Sequence, residues 1–383
     1  MENSKHSNVL IIGGGCAGIA VASRLHSLKS DLNISIIEPS DKSLYQAAWT
    51  LVGAGAYDKD KTIKSMSEVM PSYVNWIKSH AQSFSPESNS VKTSDGDYTY
   101  DYLVVCPGLK LNFDGVAGLK ESLGKNNVCT NYDADMAVYT WECLKNLKGG
   151  TLLFTEPPMP IKCAGAPQKI AYLAADHLKQ KGVLNESHLE FLCAKPVIFG
   201  VPHFQGPLNE ICDSYGIKRS FQHNLVSVDG NAKEAVFKQS DKDGNTKEVT
   251  KKFDFIHVTP PQSSPDFIKN SPLADAGGWV DVDHKNGTLR HTKYENIYSL
   301  GDVMNAPNAK TGAAVRKQAP IVAHNIIKDI KKSSDEYRLY DGYGACPLTV
   351  AYGKVMLAEF CYGGKVTPSL PFDPTKPSSL YWQ

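Results

Sequence analysis

The sequence predicts an α/β fold in which a second strand-and-helix unit is inserted into a first. Three observations predict it. A buried strand, Val9 to Ile12, runs through a glycine turn into a helix. A second strand-loop-helix unit opens at Thr151. A late strand, Asn296 to Val303, ends in Gly301-Asp302 and complements the first unit from far down the chain.

Bulk composition bounds the reading. A chain of 383 residues exceeds one small core and predicts two or three packed units. Lys plus Arg (41) and Asp plus Glu (40) nearly cancel, so no strong net field exists to hold a polyanion, and nucleic acid is not an expected partner. Nine scattered cysteines do not form the framework of a small disulfide-stapled domain and point to redox chemistry instead. No metal is expected. The apolar run from Asn8 to Val21 contains Gly13, Gly14, Gly15 and Gly18 and lacks a basic start, so it is not a signal peptide. No apolar run reaches the roughly 18 residues that a spanning helix needs. The expected protein is soluble or lies on a membrane surface.

In the first unit, Gly13 permits a tight turn, Gly15 lets backbone N–H groups approach a pyrophosphate, and Gly18 allows close helix-strand packing through Leu25. The second strand, Ile34 to Ile37, ends in Glu38, whose carboxylate can accept hydrogen bonds from an adenosine ribose. Tyr45 to Ala56 mixes aromatics with glycine and reads either as a broken helix near a ligand or as packing. Asp95-Gly96-Asp97 marks a hairpin, and Tyr102 to Cys106 is a strand stopped at Pro107-Gly108, with Gly108 closing the first dinucleotide unit. The chain then crosses near Asn112 to Gly118.

In the second unit, a helix over Asp133 to Leu147 ends at Gly149-Gly150, and Thr151 to Thr155 is a strand. A dinucleotide site would now need glycines opening a helix. Instead Pro157, Pro158 and Pro160 stiffen the loop and remove three donors, which argues against a nicotinamide nucleotide here. Pro167 suits the first position of a helix carrying Ile170, Leu173, Ala174 and Leu178 on one face. Cys163 therefore precedes a helix N-terminus and neighbours Lys162, two features that favour thiolate. A buried, inert thiol is the competing reading at this point. Strands at Leu189 to Leu192 and Val197 to Phe199, a helix near Leu208 to Tyr215, a surface hairpin around Asp243-Gly244 and a solvated edge at Lys247 to Lys252 follow.

The strand ending in Gly301-Asp302 can set its carboxylate on a ribityl hydroxyl, and a helix beginning near Lys310-Thr311-Gly312 aims its N-terminus at a flavin. With the first glycine turn, this pattern predicts FAD. Cys346 falls in a glycine- and proline-rich turn, a plausible second redox cysteine, and the tail with Pro368, Pro371, Pro374 and Pro377 is expected to be extended. The expected organisation is two Rossmann-like dinucleotide-binding domains: FAD-binding residues 1–112 and 285–340, an inserted domain over 113–284 with a degenerate nucleotide site, and a C-terminal redox and quinone-side segment over 341–383.

Over nearly its whole length the chain resembles the sulfide:quinone oxidoreductases of the flavoprotein disulfide reductase superfamily, in particular the mitochondrial branch. The resemblance is carried by YQAAWTLVGAGA from Tyr45, PIKCAGAPQKIAYL from Pro160, HVTPPQSSPD from His257, GGWVDVD from Gly277 and YDGYGACPL from Tyr340. It implies that Cys163 and Cys346 form the active-site disulfide, that hydrogen sulfide opens it to a persulfide and a thiolate on Cys346 beside the flavin, and that electrons pass through FAD to a quinone while a small acceptor takes the sulfur. It also offers Lys169 as a partner of the anionic sulfur and Phe360 for the quinone pocket. Cys129 is similar to a third cysteine that other branches use at the flavin, with an inert thiol as the alternative. Family members continue past the Leu-Tyr-Trp segment into amphipathic helices, so the C-terminal anchor is expected to be truncated or the membrane attachment weaker. Peripheral membrane or cytoplasmic placement, at a bacterial cytoplasmic face or the mitochondrial inner membrane, stays open. The competing enzyme readings are a type II NADH dehydrogenase and the flavin subunit of a flavocytochrome-type sulfide dehydrogenase.

Overall fold

The computed structural model describes residues 5–382. The chain divides into two compact units. One comprises Met1–Leu44, Ile63–Lys110 and Ser263–Gly344, the other Tyr45–Thr62, Leu111–Gln262 and Ala345–Gln383.

The first unit is built on a seven-stranded sheet. Val9, Leu10 and Ile11 in the strand His6–Ile12 are fully buried, the pattern of a parallel strand covered on both faces. That strand pairs in parallel with Ile34–Ile37 on one side and Gly96–Val105 on the other. Val74–Ile77 extends the parallel run beyond Ile34–Ile37, and Ile297–Ser299 joins Gly96–Val105 in parallel, with Ile297 opposite Leu103. The hairpin of Ala81–Ser85 and Ser90–Thr93 adds antiparallel strands, turning back into Gly96–Val105 through the expected Asp95-Gly96 turn. The helix Cys16–Leu28 packs on the helix Gly312–Lys331, whose first turn is capped by Thr311 Oγ1, accepting from the Ala314 N–H at 3.2 Å. This unit takes the chain back at Ser263 rather than near residue 285. The reason is pairing: the short helix Asp266–Lys269 packs on Ala81–Ser85, and Val280 bridges to Met304.

The second unit holds a five-stranded parallel sheet in the order Val128–Cys129, Phe255–His257, Gly150–Glu156, Ser187–Cys193, Lys218–Phe221. The helix Ala166–Lys181 buries Ile170, Leu173, Ala174 and Leu178, as its spacing predicts, and ends on Gly182 in the left-handed region at φ 79°. A three-stranded antiparallel sheet carries Thr246–Lys252 on its edge. The strands Gly344–Ala351 and Lys354–Phe360 form a hairpin whose Leu348, Val350, Met356 and Ala358 enter the same core as Phe154, Ile170 and Phe204. The C-terminal residues from Ala345 thus complete the second unit's core instead of forming a separate segment.

Two local expectations change. Cys346 lies on a strand, not in a turn, and Pro347 beside it is exposed, on a two-stranded hairpin where an edge position tolerates proline. Val197 to Phe199 forms no strand. The carbonyls of Ile198 and Phe199 accept instead from the side-chain amides of Gln168 and Gln205, each at 2.8 Å, which satisfies them without a neighbouring strand.

Candidate active site

In the first unit the glycine turn forms a cradle at the start of Cys16–Leu28. Gly13 has φ 102°, and a Cβ there would meet the Cys106 carbonyl oxygen at 2.6 Å; a Cβ on Gly18 would lie 1.9 Å from the Gly13 oxygen. Both positions therefore require glycine for close backbone approach. Gly15 is different: nothing lies within 4 Å of its would-be Cβ, so the space in front of the helix N-terminus is open. The same holds at Gly108 (φ 77°) and at Gly312, the first residue of the second helix. Open glycine faces at these points suit a pyrophosphate approached by backbone N–H groups.

Glu38 closes one side of the cradle. Its Oε2 accepts from the Gly14 N–H and its Oε1 from the Ser40 N–H, both at 2.8 Å, which fixes the carboxylate while leaving lone pairs for further donors. Gly301 (φ 79°) directs its N–H to Gln318 Oε1 at 2.9 Å, and Asp302 follows in a turn of 3-10 helix. Burial and the nearby Asp302 carboxylate push the Cys16 thiol up, which places Asp302 beside the glycine turn. Lys310, unremarked in the sequence beyond its helix start, is buried with its amine donating to the carbonyls of Asp302 (2.6 Å) and Met304 (2.9 Å) over the Trp279 ring. Burial lowers its pKa to about 8, with Asp302 opposing.

The second unit brings the two motif cysteines together. Cys163 sits at φ 52°, an uncommon conformation for a residue with a side chain, in the turn that leads into Ala166–Lys181; its carbonyl accepts from the Ala166 N–H at 2.7 Å. Cys346 is fully buried on its strand, facing Cys163. Gly165 makes this possible: a Cβ there would stand 2.4 Å from Leu348 Cδ2 and 3.5 Å from Cys346 Cβ. Gly165→Ala is expected to cost about 1–3 kcal/mol through overpacking, read as a lowered Tm together with slower closure of the Cys163–Cys346 disulfide.

The electrostatics of the pair are asymmetric. The neighbouring Cys346 thiol, donating toward it, holds the Cys163 pKa well below the usual cysteine value; burial opposes, and the Lys169 ammonium and the Gly165 N–H add to the lowering. Lys169 is buried, with Nζ 3.4 Å from Cys163 Sγ. Cys346 moves the opposite way, pushed well up by Cys163 and by burial; the Lys169 charge and the Gly165 N–H oppose this, but the hydrogen bond from Lys169 goes to Cys163. Lys162, adjacent in sequence, does not supply the charge. Its amine turns to Gln46 Oε1 and lies over the Trp49 and Tyr132 rings, so the residue six positions on does the work expected of the residue one position back.

Around the carboxyl ends of the parallel strands lies a polar cluster that the sequence reading missed. Glu156, the last residue of Gly150–Glu156, is buried in an ion pair with Lys195, and burial pushes its pKa up to about 7 despite that lysine. The Asn131 carboxamide is buried without a hydrogen-bond partner, and beside it the buried Tyr132 hydroxyl faces Thr259 and Gln262. A buried polar group without a partner costs about 1–3 kcal/mol, and this edge of an α/β sheet is where ligands bind. The one available signal was Glu156 itself, a carboxylate ending an otherwise apolar strand.

The other candidates lie apart from this constellation in character. Cys129 is fully buried, and its thiol faces Cys143 and Thr140. Phe360 is half-buried, its ring edge-on to Phe199 at 6.0 Å.

Residues 7–137 match the model of the pyridine nucleotide-disulphide oxidoreductase family. The chain is 45% identical over 376 residues to the mitochondrial sulfide:quinone oxidoreductase of Dictyostelium discoideum, covering 97% of this chain and 81% of that protein. The chain belongs to the sulfide:quinone oxidoreductases. The mitochondrial enzyme of Mus musculus is 39% identical, with 97% and 82% covered. The crystal structure of the sulfide:quinone oxidoreductase from Aquifex aeolicus superposes with a TM-score of 0.80 over 99% of this chain and 88% of that one; at 24% identity it speaks for the shared fold. The two-unit α/β build expected from the sequence is thus the fold of sulfide:quinone oxidoreductases, and no helix among the described residues is long and apolar enough to cross a membrane.

Proposed function

We propose that this chain oxidises hydrogen sulfide at a Cys163–Cys346 disulfide and delivers the electrons through FAD to a quinone. The observation that carries the reading is the convergence of the Lys169 ammonium and the Gly165 N–H on the sulfur of Cys163, with Cys346 facing it. In thiol-disulfide exchange the sulfur of lower pKa leaves faster. Hydrosulfide therefore attacks Cys346 Sγ, the disulfide bond breaks toward Cys163, a persulfide forms on Cys346, and the electron pair stays on Cys163 as thiolate. This reverses the assignment that the family resemblance suggested, because the stabilising cation stands at Cys163. A small nucleophilic acceptor then takes the outer sulfur from Cys346, leaving that residue as thiolate.

FAD, when bound, supplies the two-electron acceptor that returns the pair to disulfide and passes the electrons to quinone. Gly13, Gly15 and Gly18 would approach its pyrophosphate, Glu38 its ribose, and Gly108, Gly301 and Asp302 the flavin half. Phe360 is the aromatic candidate on the quinone side. Exposed Leu370, Phe372 and Leu380 in the C-terminal residues support peripheral attachment to a membrane surface, and the named mitochondrial relatives favour a mitochondrial location. Neither the NADH dehydrogenase nor the flavocytochrome alternative is favoured, since the long matches are to sulfide:quinone oxidoreductases.

Anaerobic titration of the FAD-loaded chain with sulfide, followed by decyl-quinone, tests this. Sulfide is expected to give a long-wavelength charge-transfer band and then bleach the flavin, and quinone to restore it. Bleaching by NADH but not by sulfide would overturn the reading.

A further inference from the structure

A second cysteine pair lies in the inserted unit, on elements the proposed reaction does not use. Cys129 ends the edge strand Val128–Cys129, and Cys143 lies on the inner face of the helix Ala134–Asn146 that packs against that strand. Their thiols face one another. The two differ in access. Cys129 is fully enclosed, its sulfur between Cys143 and Thr140. Cys143 is itself buried, 7% exposed, but forms part of the wall of a surface cleft of about 280 Å³ with Asn127, Tyr139, Glu142, Asn146 and Leu147. The Tyr139 hydroxyl stands over this cleft, accepting from the Asn127 N–H at 3.2 Å and leaving its own proton free to donate.

From this geometry we propose that Cys143 and Cys129 are a second redox-active thiol pair, with Cys143 attacking a small hydroperoxide that enters the cleft and Cys129 resolving the product to a disulfide. The charge environment agrees. Cys129 and the Tyr139 hydroxyl, donating toward it, hold the Cys143 pKa below the ordinary cysteine value, against burial and the Glu142 carboxylate. Cys129 is pushed well up by burial and by Cys143. A lowered thiol at the wall of a cleft beside a raised, fully enclosed one is the division of labour between an attacking and a resolving cysteine.

The Cys143 thiolate attacks the terminal peroxide oxygen; the O–O bond breaks, an S–O bond forms, and hydroxide (from hydrogen peroxide) or alkoxide (from an organic hydroperoxide) leaves and takes a proton. Cys129 sulfur then attacks Cys143 sulfur; the S–O bond breaks, an S–S bond forms, and the Cys129 thiol proton leaves with hydroxide as water. The two thiols lose two electrons and the peroxide gains them. The resulting bond ties the helix Ala134–Asn146 to the sheet edge. The proposal does not depend on the sulfide reaction, because it is read from thiol connectivity without sulfide or quinone.

The test oxidises the reduced, FAD-loaded full chain with hydrogen peroxide, blocks remaining thiols with iodoacetamide after denaturation and maps the non-reduced peptides by mass spectrometry. A Cys129–Cys143 peptide pair lighter by two hydrogens and released by dithiothreitol is expected. Cys143→Ser should remove that pair while leaving Cys163–Cys346 closure unchanged, and Cys129→Ala should leave a dimedone-trapped sulfenic acid on Cys143. If both cysteines stay fully alkylatable under peroxide that closes Cys163–Cys346, or if dimedone does not mark Cys143 in the Cys129→Ala chain, the assignment is wrong.

Discussion

Cys163→Ser is expected to lower sulfide-dependent quinone reduction by roughly a thousandfold or more, the scale reached when a residue of a covalent mechanism is removed. Cys346→Ser should do the same, and both variants should keep their flavin, because the glycine cradle, Glu38 and Asp302 belong to the other unit. The two are distinguishable by what remains. In Cys346→Ser the surviving Cys163 still has Lys169 at 3.4 Å and the Gly165 N–H, so it should alkylate with iodoacetamide near neutral pH. In Cys163→Ser the surviving Cys346 is wholly buried, with less to offset that burial, and should need pH at or above the ordinary cysteine range. Equal alkylation profiles would remove the asymmetry on which the leaving-group assignment rests, and wild-type turnover in either variant would remove the disulfide mechanism altogether.

Much of this was legible in the residues because local chemistry dictated it. Gly13 and Gly18 announce a turn that only glycine can make, and the structure meets them with backbone atoms at distances no Cβ tolerates. The apolar face of Ala166–Lys181 likewise announces its burial. The strand ends were less readable: Val197 to Phe199 carries strand-forming residues, yet Gln168 and Gln205 satisfy its carbonyls, and no local pattern encodes a partner such as Gln168, 30 residues away in sequence. The same limit hid the charge at Cys163. Sequence adjacency pointed to Lys162, but successive side chains around a tight turn diverge, whereas Lys169, one turn inside the helix, returns over the loop. The pairing of Glu156 with Lys195 was invisible for a similar reason, since adjacent parallel strands bring together residues that lie far apart along the chain.

Lys169→Met is expected to make turnover depend steeply on pH. An opposite charge within about 4–6 Å lowers a pKa by roughly 1–3 units, so removing it raises the Cys163 pKa toward the ordinary value. The sign follows: a depressed pKa keeps Cys163 anionic at neutral pH, and the variant holds the anion only at higher pH. The rate should therefore fall roughly tenfold or more at neutral pH, one pKa unit being a factor of ten in thiolate, and should recover as pH rises. A purely structural role for Lys169 would lower the rate equally at every pH, and Lys169→Arg should restore part of the neutral-pH rate. The effect on turnover should exceed the effect on static titration of the reduced pair. In the reduced pair the Cys346 thiol is the strongest stabiliser of the Cys163 anion. Once hydrosulfide has attacked, that thiol proton is gone from Cys346, which now carries sulfur, and the departing Cys163 thiolate is left with the Lys169 ammonium and the Gly165 N–H. Comparing the kinetic pH profile with the alkylation profile of the same variant measures that difference directly.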